Sequence, residues 1–115
     1  MNLFKYLYLF GANIAWRATG FRPAGRPLLN NINSPDENLK TIAGMFLVQA
    51  GKKAEPLLRE ALQTSQNLPM LLTIIGDIGA QQFAPDAESL RDSSDPHVAE
   101  AARYALKAIA RRNSQ

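Results

Sequence analysis

Few side chains in this chain of 115 residues can move protons or bind a metal ion. The single histidine, His97, follows Asp95 and Pro96 at the expected start of a helix. At such a position a solvent-exposed imidazole is a simpler interpretation than a ligand or a general base. No cysteine is present to supply a thiolate ligand, a disulfide or a nucleophile. The sequence therefore predicts no metal site and no bound cofactor.

The carboxylates are the remaining candidates for acid–base chemistry. Asp77 with Asp86, or Asp92 with Asp95, could form a dyad of proton donor and acceptor. However, Asp92 and Asp95 enclose two serines in a polar turn, where such side chains cap helices and accept backbone hydrogen bonds. Asp77 lies in a Gly-Asp-x-Gly sequence, where structural hydrogen bonding is the default expectation. We therefore predict no catalytic residue and a protein that is not an enzyme.

The elements that carry these residues follow an internal repeat. Pro27, Pro56 and Pro85 lie 29 residues apart, and the first two begin the similar runs Pro-Leu-Leu at 27–29 and 56–58. Proline is tolerated at the first position of a helix, since its missing N–H would have no partner there. Each of the three prolines is therefore predicted to begin a short helix.

A second helix is predicted after each short one. Ser34 and Glu37 form a capping-box pattern before the first of them, and Asp95 is a predicted N-cap of the third. Gly51 and Gly79 lie where a helix end favours a left-handed residue. Three sets of apolar residues have the three-four spacing of an amphipathic helix: Leu39, Ala43, Phe46, Leu47 and Ala50; Leu71, Ile74, Ile75 and Ile78; Val98, Ala102, Ala105, Leu106 and Ile109.

The predicted fold class is all-α. A helical hairpin of about 29 residues cannot bury its own apolar stripe, so neighbouring hairpins must stack into a continuous core. We predict an α-α superhelix, a short solenoid of about three hairpins over residues 23–115. A hydrophobic and basic helix with its linker is predicted to precede it at residues 1–22.

Four segments lie between Pro56 and Arg111 in the order of the repeat: Ile75–Ala80, Pro85–Leu90, Asp92–Val98 and Ala102–Leu106. With these segments, the stretch Pro56–Arg111 resembles two consecutive bacterial HEAT repeats, and the resemblance extends more weakly back to Pro27. The family usually has an arginine directly after the valine of the Asp-Pro-x-Val turn, where this chain has Ala99. The resemblance implies a binding scaffold, although HEAT-like repeats also occur in bilin lyases and in certain DNA glycosylases.

Positive charge is concentrated near the N-terminus, because Lys5, Arg17, Arg22 and Arg26 all precede the first acidic residue, Asp36. From residue 31 onward, nine Lys and Arg residues accompany ten Asp and Glu residues. The repeats therefore lack the basic surface that nucleic-acid binding requires, and no nucleic-acid partner is expected.

In a solenoid the second helices line the concave face, and the residues between their core stripes form a contact ridge. This ridge is more apolar than a purely solvated surface needs to be, which suits a protein partner. The alternative is that scattered apolar residues are normal on any surface. The predicted partner-binding residues are Met45, Val48, Leu72, Thr73, Arg103, Tyr104 and Lys107.

Residues 3–16 are apolar almost all round a helix, which predicts burial on more than one side. Fourteen residues rise only about 21 Å, short of the roughly 30 Å hydrocarbon core of a bilayer. Three interpretations stay open for residues 1–20: a helix that only caps the solenoid, docking onto a protein partner or a second copy, and contact with a membrane surface. The predicted docking residues are Phe4, Tyr8, Phe10, Trp16 and Arg17.

Together these features predict a non-catalytic scaffold or adaptor that binds another protein. Its expected location is cytoplasmic, with membrane association through the N-terminal helix as one arrangement. The alternatives from other classes are a HEAT-like lyase or accessory protein acting on a tetrapyrrole-bearing protein, and a HEAT-like DNA-binding protein.

Overall fold

The computed structural model describes residues 3–19, 22–64 and 67–114. Over these residues every regular element is a helix, which confirms the all-α class. Short 3₁₀ turns at Gly51–Ala54 and Gln81–Phe83 precede the fourth and sixth α-helices. The α-helices are α1 (Leu3–Thr19), α2 (Arg22–Asn31), α3 (Glu37–Ala50), α4 (Glu55–Gln63), α5 (Leu68–Ile78), α6 (Ala84–Leu90) and α7 (Pro96–Asn113).

The helices form two compact units, one at Met1–Glu60 and the other at Ala61–Gln115. In the first unit α1 packs on α2 and α3, and α2 packs on α3. In the second unit α7 packs on both α5 and α6. The stacking of hairpins into a solenoid and the boundary between residues 22 and 23 stay predictions.

Side-chain caps define the starts of α3 and α7. The Asp36 carboxylate accepts hydrogen bonds from two backbone N–H groups in the first turn of α3, with distances of 2.9 and 3.3 Å. Asp95 accepts from the N–H of His97 at 2.9 Å, as expected for the predicted cap. The predicted start of α3 is confirmed, but the cap is Asp36 rather than Ser34. The Ser34 hydroxyl instead accepts from the Asp36 N–H at 3.1 Å, which holds the capping residue in place.

Glycine ends α3 and α5, as predicted. Gly51 has a φ of 59° and Gly79 a φ of 75°, a region that side chains with a Cβ rarely adopt. The Gly79 N–H donates to the carbonyl of Ile75 at 3.0 Å. Both helix ends therefore depend on a residue without a side chain.

The repeated prolines do not all begin helices. Pro56 and Pro85 lie in the first turns of α4 and α6, as predicted. Pro27, in contrast, lies inside α2, which begins at Arg22. The prediction for Pro27 is wrong because the helix starts five residues earlier, with Pro23 already in its first turn. At its interior position Pro27 lacks the N–H that would otherwise donate to the carbonyl one turn back.

The core of the first unit is built around Trp16, which is only 1% exposed. Leu9, Asn13 and Trp16 share the buried face of α1, at the spacing of one helical stripe. The Trp16 ring packs against Gly25 of α2, where a Cβ atom would lie 3.0 Å from two ring carbons. Among the residues that the structure describes, only this face of α1 is buried, so the predicted burial on more than one side is not observed there.

The core of the second unit lies between α5 and α7. Its small side chains let the helices approach closely, since a Cβ atom at Gly76 would lie 3.0 Å from the Ala105 Cα atom. Leucines at positions 68, 90 and 106 pack at the edge of this cluster. The buried members of the cluster are Leu72, Ala87, Val98, Ala101, Ala102 and Ala105.

Candidate functional site

The predicted ridge residues are divided between the two units. Leu72 is fully buried in the core of the second unit, so its assignment as an exposed contact residue is wrong. Its side chain packs in one cluster with alanines of α7. This contact cannot be predicted from the sequence, because the sequence does not show that α5 pairs with α7. Met45 is 53% exposed and Val48 half-buried, and both lie on α3 of the first unit. The remaining exposed ridge residues lie on α5 and α7: Thr73, Arg103, Tyr104 and Lys107.

Tyr104 is the centre of the exposed surface between α5 and α7. Its hydroxyl donates a hydrogen bond to the Asp77 carboxylate on α5. Its ring lies over Gly76, where a Cβ atom would approach the ring to 3.0 Å. The glycine provides the space and the carboxylate provides the anchor, so the aromatic ring is held in one orientation while 41% of the residue stays exposed.

This contact also changes the acidity of the tyrosine. The hydrogen bond to Asp77 raises the pKa of the Tyr104 hydroxyl above its ordinary value, and partial burial and the negative charge of Asp77 act in the same direction. Arg111 and Arg112, which line a recess together with Tyr104, lower this pKa and so oppose the shift. The raised pKa keeps the hydroxyl protonated at neutral pH, as its donation to Asp77 requires.

Two recesses meet at Tyr104. One has a volume of about 470 Å³ and is lined by Gly76, Asp77, Tyr104, Ala108, Arg111 and Arg112. The other has a volume of about 380 Å³ and is lined by Pro69, Thr73, His97, Glu100, Ala101 and Tyr104. We call the two recesses together the Tyr104 groove, because this side chain contributes to both.

The sequence predicted Thr73 and Tyr104 but not most of the groove. The α7 residues that line it follow Tyr104 at helical spacing in both directions, and this signal was present in the sequence. Asp77 could be found only from the pairing of α5 with α7, because it is 27 residues from Tyr104. Arg103 and Lys107 are exposed on α7, but they do not line either recess.

The outer face of α1 is the second exposed surface. Large apolar side chains on this face are between 50% and 81% exposed. Phe10 also makes an edge-to-face contact with Phe46 of α3, with ring centroids 5.1 Å apart. We call this surface the α1 apolar face, defined by Leu3, Phe4, Leu7, Tyr8, Phe10 and Ile14.

Comparison of the chain with protein-family models, with curated proteins and with solved structures finds no match. The resemblance to HEAT repeats accordingly stays a prediction.

The predicted N-terminal docking residues divide between the two sides of α1. Phe4, Tyr8, Phe10 and Arg17 are exposed, so they are accessible to a partner. Trp16 is a core residue instead, and its assignment as a docking residue is wrong. Its ring packs against Gly25 of α2 instead of facing outward.

A recess of about 370 Å³ lies beside the C-terminal half of α1, lined by Asn13, Ile14, Arg17, Ala18 and Lys53. Lys53 reaches it from the turn after α3, and its Nζ donates to the Arg17 carbonyl at 2.7 Å. This contact satisfies one of the last carbonyls of α1 and adds a second positive charge to the recess. The sequence did not indicate Lys53, because it is 36 residues away from Arg17.

Asn13 is unusual in this recess because it is only 6% exposed. Its Oδ1 atom is buried and has no hydrogen-bond partner among the described residues. A buried acceptor without a donor costs about 1–3 kcal/mol of stability. A bound molecule that donates a hydrogen bond to Asn13 would remove this cost.

Within residues 3–19, 22–64 and 67–114, no three His, Cys, Asp or Glu side chains come together in a way that could hold a metal ion. None of the helices in the described parts of the chain has the length and apolarity needed to cross a bilayer.

Proposed function

We propose that the chain is a non-catalytic protein-binding module, a short HEAT-like solenoid that holds a segment of a partner protein in the Tyr104 groove. The observation that carries this proposal is the position of Tyr104 at the junction of two recesses. An exposed aromatic side chain held in a fixed orientation loses little conformational entropy when a partner binds.

The charges along the groove favour a polypeptide. His97 and Glu100 lie in one recess, and Asp77 lies with two arginines in the other. A nucleic-acid surface would present mainly positive charge, whereas these recesses combine both signs with apolar surface. Main-chain and mixed side-chain groups of a protein segment match such a lining.

The test uses affinity capture with the full chain, followed by titration of the purified partner. Tyr104→Ala should weaken partner binding roughly tenfold or more, the usual effect of removing an aromatic anchor. Tyr8→Ala is the matched control, because Tyr8 is also an exposed helical tyrosine but lies on α1. Circular dichroism of both variants checks that the helices are retained.

The proposal fails if the Tyr104→Ala protein binds the partner as tightly as the original chain, or if Tyr8→Ala weakens binding equally. Tetrapyrrole absorbance in the purified protein would instead support an accessory role for a tetrapyrrole-bearing protein. Salt-sensitive DNA binding would support the DNA-binding alternative.

A further inference from the structure

The α1 apolar face is wide and carries no charge. Successive residues of an α-helix are about 100° apart around its axis. In this projection the exposed apolar positions of α1 cover roughly 160° of the circumference, from Phe10 at one edge through Leu7 to Tyr8 at the other. The opposite side of the helix, with Leu9 and Trp16, is occupied by the core of the first unit. The helix therefore presents a broad apolar surface outward while it is held by its own unit on the other side.

Positive charges border this face. Lys5 and Arg17 lie near its two edges, toward opposite ends of α1, and both are exposed. Lys53 adds a third positive charge beside Arg17. Since no acidic residue precedes Asp36 in the sequence, α1 contains no negative charge. A partner surface that complements α1 must therefore be apolar with negative charge around it.

A second copy of the chain does not meet this requirement. Two copies pairing their α1 faces about a two-fold axis across the middle of the helices would run antiparallel. Lys5 and Arg17 of both copies would then place four positive charges around one apolar interface, with no negative charge on α1 to balance them. An amphipathic partner helix presents an apolar stripe about 100° wide, narrower than the face it would have to cover.

An anionic bilayer surface meets both parts of the requirement. A helix lying flat in the interface buries its apolar face in the acyl region while Lys and Arg side chains reach the phosphates. Tyr8, at the edge of the face, matches the preference of tyrosine for the headgroup region. The 17 residues of α1 would lie along the surface for about 25 Å.

The recess beside α1 adds a place for one headgroup. Arg17 and Lys53 can pair with a phosphate, and Ile14 and Ala18 provide apolar contact for the start of an acyl chain. Asn13 also lines this recess, and its buried Oδ1 has no hydrogen-bond partner among the described residues. This acceptor is an observation independent of the apolar face, and it favours a ligand that carries a hydrogen-bond donor, such as the hydroxyl of a glycerol headgroup, as well as an anionic phosphate for Arg17 and Lys53.

From these contacts we infer that α1 attaches the protein to an anionic membrane surface, with a phosphate-bearing headgroup held by Arg17, Lys53 and Asn13. This attachment is independent of the protein-binding role of the Tyr104 groove. The first unit binds lipid, and the second unit stays available for a partner.

The test measures co-sedimentation of the full chain with phosphatidylcholine vesicles, with and without phosphatidylglycerol. Binding is expected only with phosphatidylglycerol. The double variant Leu7→Ser with Ile14→Ser should reduce the partition coefficient by roughly tenfold or more. Arg17→Gln with Lys53→Gln should reduce the partition coefficient roughly 25-fold, because each of the two positive charges strengthens binding to the surface about fivefold.

Matched controls are Met45→Ser, an exposed apolar side chain on α3, and Arg103→Gln, an exposed arginine on α7. Both should bind vesicles like the original chain. Soluble glycerol phosphate should not release the bound protein, since the apolar face also contributes. Tyr104→Ala should keep vesicle binding even if it loses the protein partner, which separates this inference from the proposed function.

Three outcomes would overturn the inference. The first is equal sedimentation with and without phosphatidylglycerol. The second is release by glycerol phosphate, which would indicate a site for a free phosphate compound. The third is absence of vesicle binding while Leu7→Ser with Ile14→Ser abolishes capture of a purified protein, which would assign the α1 apolar face to protein docking.

Discussion

Gly25 lies in close contact with Trp16, and this contact decides whether alanine at position 25 stabilises or destabilises the protein. Replacing glycine by alanine inside a helix normally stabilises a protein by about 0.5–1 kcal/mol, because alanine loses less backbone entropy. Gly25→Ala should instead destabilise the protein. A Cβ atom there would lie 2.7 Å from Leu57 Cδ1 and 3.0 Å from two carbons of the Trp16 ring.

The magnitude follows from the burial of these neighbours. Ordinary van der Waals contact with a Cβ atom lies between 3.4 and 4 Å, so both side chains must move. Leu57 is 0% exposed and Trp16 1% exposed, so neither has open space to move into. Overpacking of this kind costs about 1–3 kcal/mol. Part of this cost is offset by the stabilisation that alanine gives inside a helix. The free energy of unfolding of Gly25→Ala should therefore fall by about 1 kcal/mol.

Gly11→Ala is the matched control, because Gly11 is also inside a helix of the first unit but has no atom within 4 Å of its added Cβ. This variant should gain about 0.5–1 kcal/mol. Trp16 is the only tryptophan of the chain, so its fluorescence during urea unfolding reports on the first unit directly. If Gly25→Ala is as stable as Gly11→Ala, the tight Trp16 packing described above is wrong.

Three further predictions concern the caps and the Tyr104 groove. Asp36→Ala and Asp95→Ala should each lower the free energy of unfolding by about 1 kcal/mol in urea titrations, because each removes a helix N-cap. Tyrosinate absorbance should show Tyr104 ionising above the ordinary tyrosine pKa, and Asp77→Asn should lower that pKa. Folding raises the pKa of Tyr104. The stabilisation of the fold by the Tyr104–Asp77 hydrogen bond is therefore fully present below the pKa of tyrosine in the unfolded chain, and it is lost as pH rises through the pKa of Tyr104 in the folded protein. Gly76→Ala should reduce both the melting temperature and the affinity for the partner, since its Cβ would displace the Tyr104 ring. An unchanged value in any of these assays would contradict the contact that the substitution removes or disturbs.

Local signals explain the successful part of the sequence predictions. The second helices were found because each combines a three-four apolar spacing with either a capping aspartate or a terminal glycine. Asp36, Asp95, Gly51 and Gly79 act on backbone groups within a few residues of themselves. Such interactions are readable from a sequence because they need no knowledge of the tertiary fold.

Pro27 shows where local signals are insufficient. A proline is compatible with the first turn of a helix, but it does not exclude a start further upstream. In α2 the helix begins at Arg22, and Pro27 is accommodated in its interior. The 29-residue spacing was real, yet it did not imply the same helix position for each proline.

The candidate surfaces depended on contacts between distant segments. Asp77 and Tyr104 meet only because α5 packs on α7, and Lys53 reaches Arg17 only because the turn after α3 lies beside the end of α1. The apolar spacing of α5 predicts Leu72 at the surface, but α7 covers it, and this pairing is not visible in the sequence. Sequence reasoning could therefore identify Tyr104 as exposed, but it could not identify what holds its ring.

The two faces of α1 explain why its burial was difficult to predict and how its role can be separated from folding. Both faces are apolar, and the buried one includes the polar Asn13, so hydropathy does not distinguish them. Substitution of Leu9 removes a core contact and should destabilise the first unit. Substitution of Leu7 on the outer face removes little buried area within the chain and should leave its stability nearly unchanged. A loss of vesicle binding at Leu7 without loss of stability would therefore assign the outer face to an intermolecular contact, a distinction that deletion of the whole helix cannot make.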